Sequence, residues 1–125
     1  MNDQDEIRAL QIAYAKYFDA RDADNYAALY TQDTTVTTPW GQVIRGRDKM
    51  RKAVVNTPAG KGWHKPGDTE IVVDDDDAKG VSFYEAMDGK GDVFRGRYID
   101  TYRRTTEGWR IASRVVLIDE PIPLT

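Results

Sequence analysis

Four stretches of alternating residues, each parted from the next by a compact turn signal, fill the chain from Trp63 onward: Trp63 to Val73, Lys79 to Met87, Asp92 to Arg104 and Gly108 to Ile118. Asp74 to Asp77, Asp88-Gly89-Lys90-Gly91 and Thr106-Glu107-Gly108 part them. Period-two alternation closed by Asp- and Gly-rich turns is the signature of a meander of antiparallel strands. Such a sheet has one apolar face that something else must cover.

The cover stands in the first half of the chain. From Asp5 to Arg21 the residues Ile7, Leu10, Tyr14, Tyr17 and Phe18 recur at spacings of three and four, which is one face of an amphipathic helix. Asp22-Ala23-Asp24-Asn25 supplies a break with capping side chains, and Tyr26 to Tyr30 reads as a second short helix. The β-branched run Thr34 to Thr38 favours a strand that ends at Pro39-Trp40-Gly41. Gly46-Arg47-Asp48 then opens a helix running to about Asn56. Helices first and strands afterwards predict an α+β domain, its helices on one face of a curved antiparallel sheet. At 125 residues, with 40% hydrophobic and 31% charged residues, the chain has room for one domain over 1–125 and enough apolar surface for a core.

Composition narrows the chemistry. With no cysteine, disulfide scaffolds, thiolate metal sites and cysteine nucleophiles are excluded, and the one histidine, His64, excludes a multi-histidine centre within a single chain. A net charge of -3 with mixed signs argues against a nucleic-acid partner. The polar, acidic start and the lack of any long apolar run argue against a membrane partner, and the expected location is cytoplasmic. Gly60-Lys61-Gly62, inside the Pro- and Gly-bearing linker Thr57 to Gly62, lacks the preceding strand and following Ser or Thr of a phosphate loop; the linker reads as a lid or a plain loop.

Several polar residues fall on apolar faces. In the third long strand Phe94, Tyr98, Asp100 and Tyr102 share a face, so Asp100 must be paired, hydrogen-bonded or protonated. Arg114 interrupts the Ala112, Val116, Ile118 side of the last strand and suits either a ligand clamp or an ion pair with Asp100 or Asp19. Asp19 lies about 140° round the first helix from Tyr14 and near its C-terminal end, where a carboxylate opposes the helix dipole and needs a cationic or donor partner.

The order Tyr14, Asp19, Asp22, Tyr30, Asp33, then Gly46-Arg47-Asp48, His64, Gly96-Arg97-Tyr98-Ile99-Asp100 and Gly108-Trp109-Arg110-Ile111-Ala112-Ser113-Arg114 resembles the SnoaL-like branch of the nuclear transport factor 2-like superfamily over nearly the whole chain. The resemblance implies a cone: a strongly curved sheet around a pocket that helices close. Within the branch the pattern is most similar to bile acid dehydratases and hexachlorocyclohexane dehydrochlorinases, in which a helix Asp and a strand His form an acid/base dyad. Asp19 and His64 stand at the matching places, as do Tyr14, Asp100 and Arg114 at further catalytic positions.

The resemblance implies a cofactor-independent lyase or dehydratase acting on a hydrophobic, ring-containing molecule. His64 would be its base, Asp19 the orienting carboxylate, Tyr14 and a protonated Asp100 hydrogen-bond donors, and Arg114 a substrate or charge holder. Trp40, Trp63, Phe83, Tyr84, Phe94, Tyr98 and Tyr102 are the candidate substrate-binding aromatics. Ketosteroid isomerases are a second resemblance, through Tyr14, the stretch Thr34 to Gly41 and Asp100, but Thr38 stands where they carry the base. An isomerase or cyclase, or a non-catalytic binding and dimerisation domain, are the competing expectations. A homodimer through the outer sheet face, with Ile99, Val115 and Leu117, is also implied.

Overall fold

The computed structural model describes residues 2–57 and 62–121; of Thr57 to Gly62, positions 58–61 lie outside the described residues. Helix α1 (Asp3–Asp19) opens with Asn2, whose side chain accepts from the Asp5 N–H at 2.8 Å, and carries Asp3, Asp5 and Glu6 in its first turn. Its apolar face buries Ile7, Leu10, Tyr14 and Ala15, with one polar residue, Gln11, among them. Helix α2 (Ala23–Ala27) begins three residues before the expected second helix, because Asp22 caps it by accepting from the Asn25 N–H. Tyr30, expected to end that helix, instead begins strand β1 (Tyr30–Thr37), which turns at Pro39-Trp40-Gly41 into β2 (Val43–Arg45). No periodicity marks so short a strand as β2, and it has no counterpart in the sequence-based expectation. Helix α3 (Arg47–Val55) follows as expected.

The long strands are β3 (Trp63–Asp74), β4 (Asp77–Met87), β5 (Val93–Thr105) and β6 (Gly108–Pro121), within three residues of their expected ends. They form one six-stranded sheet in the order β2-β1-β6-β5-β4-β3. It is antiparallel except where β1 runs parallel to β6, a pairing that the antiparallel expectation did not contain. Irregularities at Pro66/Thr69, Arg95/Gly96 and Thr101/Tyr102 insert extra residues, and such bulges bend and coil a sheet.

The concave face and the helices enclose the core, where Tyr30, Tyr102, Trp109 and Ile111 are almost wholly buried. The N-terminus of α1 is clipped to the β5–β6 end of the sheet: Glu6 accepts from the Trp109 N–H at 2.7 Å, and Asp3 from Trp109 Nε1 at 3.2 Å and from Arg104 at 3.0 Å. This fixes how far α1 reaches across the sheet, and therefore where its C-terminal residue Asp19 comes to lie.

Candidate active site

Asp19 is the last residue of α1, where the unpaired carbonyls of the final turn repel a carboxylate. Arg21, in the left-handed conformation at φ 56°, turns its guanidinium back to donate to the Phe18 carbonyl at 2.6 Å and lies over the Phe18 ring. His64, the second residue of β3, completes the arrangement. Its backbone N–H donates to Asp19 Oδ2 at 2.9 Å, and its Nδ1 lies 2.7 Å from Oδ1. An ionised carboxylate only accepts, so Nδ1 carries a proton, and in the neutral imidazole Nε2 is the acceptor. The imidazole ring is held edge-on between Phe18, at 4.8 Å, and Tyr14, at 5.7 Å.

His64 lines a cavity of about 350 Å³ between the concave sheet and the helices. Its walls are aromatic, from Tyr14, Phe18, Tyr26, Trp40, Tyr84, Phe94 and Tyr98, and aliphatic, from Val36, Ile44, Met50, Val116 and Ile118. Among the described residues, no Lys, Arg, Asp or Glu side chain lines it. A larger open groove of about 620 Å³ runs past Val72, Lys79, Thr101 and Arg103, away from the dyad. The smaller cavity is the candidate site because it joins an apolar enclosure to an oriented acid/base pair.

The wall is shaped by a glycine. Tyr84 stacks on Tyr98 at 4.4 Å and passes over Gly96 to donate to the Leu117 carbonyl at 2.8 Å. A Cβ on Gly96 would lie 2.3 Å from the Tyr84 hydroxyl and 2.0 Å from the Leu117 oxygen, so only glycine admits this crossing. Burial, then the neighbouring Tyr14, pushes the Tyr84 and Tyr98 hydroxyls above the ordinary tyrosine value.

Of the alternatives the sequence left open for Asp100 and Arg114, the structure takes the mutual ion pair and not the substrate-facing roles that the family resemblance implied. They form an ion pair within the closed core beside the cavity, both side chains fully buried, with Nε to Oδ1 at 2.8 Å and Nη2 to Oδ2 at 2.9 Å. Tyr102 donates to Asp100 Oδ2 at 2.6 Å. Gln11 donates to Tyr102 at 2.7 Å and accepts from Arg114. The Asp100 oxygens thus accept three hydrogen bonds, the arrangement of an ionised, paired carboxylate and not of the protonated donor that the family resemblance implied. Burial alone would lower the Arg114 pKa, but the Asp100 charge and hydrogen bonds hold it well above the ordinary arginine value. The guanidinium lies 4.6 Å from the Tyr14 ring centre and 4.0 Å from that of Tyr98, so the pair supports two rings of the cavity wall.

Of the expected substrate-binding aromatics, Trp40, Tyr84, Phe94 and Tyr98 line the cavity. Trp63 and Phe83 do not. Directly paired residues share a face, and Ala86, the cavity-lining partner of His64, puts Trp63 and Met87 on the other side; Phe83 pairs with Arg97 on that outer face. Tyr102 is turned inward but shut behind Gln11 and α1. Phe18, Tyr26 and Gln11 belong to the site or its support and were not singled out from sequence. Gln11, a lone amide between Leu10 and Tyr14 on an apolar helix face, was the detectable signal.

Residues 1–115 match the family described as SnoaL-like domain. No curated protein matches the sequence. Among solved structures, an NTF2-like protein with a cystatin-like fold from Novosphingobium aromaticivorans is 24% identical, with a TM-score of 0.81 over 93% of this chain and 81% of that one. A candidate scytalone dehydratase from the same organism is 19% identical, with a TM-score of 0.83 over 98% and 87%. A type 2 hexachlorocyclohexane dehydrochlorinase is 14% identical, with a TM-score of 0.85 over 98% and 88%. At these identities the likeness establishes the NTF2-like cone fold.

Proposed function

The chain belongs to the SnoaL-like domain family, and from that premise we propose that it is a cofactor-independent lyase, a dehydratase-type enzyme, acting on a neutral, ring-containing hydrophobic molecule. The observation that carries this reading is the bidentate contact of Asp19 with His64, which leaves the imidazole Nε2 as a base beside an apolar cavity. Structural likeness to a dehydrochlorinase and a candidate dehydratase supports elimination as the reaction class. A cavity of about 350 Å³ with no Lys, Arg, Asp or Glu among its described lining residues suits an uncharged substrate of a few rings.

In the reaction, Nε2 of His64 takes the proton from the carbon next to an activating carbonyl. The C–H electrons become the new carbon–carbon double bond as the β carbon–oxygen bond breaks, and its electrons leave with the hydroxyl. Asp19 stabilises the imidazolium that forms, and that cation returns its proton to the departing hydroxide as water. Tyr14, lining the cavity against the His64 ring, donates to the oxygen on which charge develops. Asp100 and Arg114 act through Tyr14 and Tyr98, as positioning residues.

The test is product analysis by mass spectrometry on a panel of cyclic β-hydroxy ketones, with wild type, His64→Ala and Asp19→Asn. Loss of water is expected with wild type, and loss of His64 is expected to cost about 10²-fold or more in turnover. A product of unchanged mass would indicate isomerisation, and turnover undiminished in His64→Ala would remove it as the base.

We propose further that the protein is a cytoplasmic homodimer joined through the outer sheet face. There Val81, Ile99, Val115, Thr37 and Val43 form one continuous cross-strand row, with Leu117 beside it. Sedimentation at the mass of one chain would overturn this.

A further inference from the structure

Tyr26 stands on α2, one helix beyond Asp19, and is separated from His64 by the rings of Tyr14 and Phe18. Its side chain lines the cavity, and its ring packs at 5.3 Å from Tyr14 and 5.5 Å from Phe18, the two rings that hold His64. At 2% exposure its hydroxyl must find its partners inside the protein or in a ligand. One partner is present: the Tyr30 hydroxyl donates to the Tyr26 oxygen at 2.9 Å. Among the described residues, nothing accepts the proton of Tyr26 itself. A hydroxyl that already accepts a hydrogen bond is polarised and becomes a stronger donor. Burial raises both hydroxyls above the ordinary tyrosine value, so both keep their protons at neutral pH.

We infer that Tyr26 is a second hydrogen-bond donor to the substrate, converging with Tyr14 on one carbonyl oxygen, and that Tyr30 is its positioning residue. The inference rests on the cavity being the elimination site and narrows the substrate class to cyclic ketones and their enolates. An apolar cavity lined by both Tyr14 and Tyr26 suits a molecule that is hydrocarbon everywhere except at one acceptor oxygen. As a proton leaves the carbon next to the carbonyl, negative charge gathers on that oxygen. A donor fixed beforehand by Tyr30 then strengthens without reorganising.

The test needs no turnover, so it stands apart from the outcome of the elimination assay. 1-Tetralone and tetralin share a bicyclic frame and differ in one carbonyl oxygen. Their binding to wild type, Tyr26→Phe and Tyr30→Phe is measured by calorimetry, and the carbonyl stretch of bound 1-tetralone by infrared difference spectroscopy. Wild type is expected to prefer the ketone. Tyr26→Phe is expected to weaken 1-tetralone about fivefold or more, to leave tetralin within about twofold, and to shift the carbonyl stretch to higher frequency. Tyr30→Phe is expected to produce a smaller shift in the same direction. Equal loss for both ligands, an unchanged carbonyl stretch in Tyr26→Phe, or no binding of 1-tetralone to wild type would each overturn the inference.

Discussion

Replacing Arg114 by Met separates a structural ion pair from a catalytic one. The substitution removes two hydrogen bonds to Asp100, at 2.8 and 2.9 Å, the bond to Gln11, and the cation beneath the Tyr14 and Tyr98 rings. Among the described residues, Asp100 then keeps the Tyr102 hydroxyl as its one side-chain donor while fully buried. Stranding one member of a buried pair costs about 3–5 kcal/mol, because the remaining charge has lost both water and its counterion. For a chain of this size each kcal/mol lowers the melting temperature by about 3–5 °C, so a fall of roughly 10–25 °C is expected. The double variant Asp100→Leu, Arg114→Met should recover much of it, since removing both charges removes the stranded one. The single variant should also gain stability as pH falls, because protonation discharges the isolated Asp100. Thermal and urea unfolding followed by circular dichroism read all three. A loss below about 1 kcal/mol in Arg114→Met, or a double variant no more stable than the sum of the singles, would refute the reasoning.

Gly96→Ala should push Tyr84 off the Leu117 carbonyl and strain β6, costing about 2–4 kcal/mol in urea unfolding, whereas Tyr84→Phe, which loses only the hydrogen bond, should cost about 1 kcal/mol. The Arg104 and Trp109 hydrogen bonds hold the Asp3 carboxyl below its ordinary value of 3.8. The stability this contributes is present above that value and is lost as pH falls through the lower folded-state value. Asp3→Asn should therefore flatten the acid limb of a melting-temperature profile below about pH 4 and lower the plateau above it. An unchanged profile would show that the helix clip does not couple to folding.

The alternation of β3 to β6, their turns and the period of α1 are local properties, and the sequence alone carried them because strand and helix periods are written in neighbouring residues. Asp19 was also legible: a carboxylate at a helix C-terminus asks for a partner, and family resemblance pointed to His64. The strand β2 and the parallel pairing of β1 with β6 were not, since three residues carry no period and pairing joins segments far apart in the chain. Bulges at Arg95/Gly96 and Thr101/Tyr102 shift the register of β6, and the pairing of His64 with Ala86 decides that Trp63 faces outward. Alternation put Phe94, Tyr98, Asp100 and Tyr102 on one face of β5 but could not divide that face into cavity and closed core. The tertiary structure made the division. Helix α1 lies over Asp100, Tyr102 and Arg114 and seals them with Gln11, while Phe94 and Tyr98 line the open half beside His64. Which carboxylate becomes a buried counterion and which orients a base therefore depends on where a helix ends on a curved sheet, and that is fixed by packing between residues about a hundred positions apart.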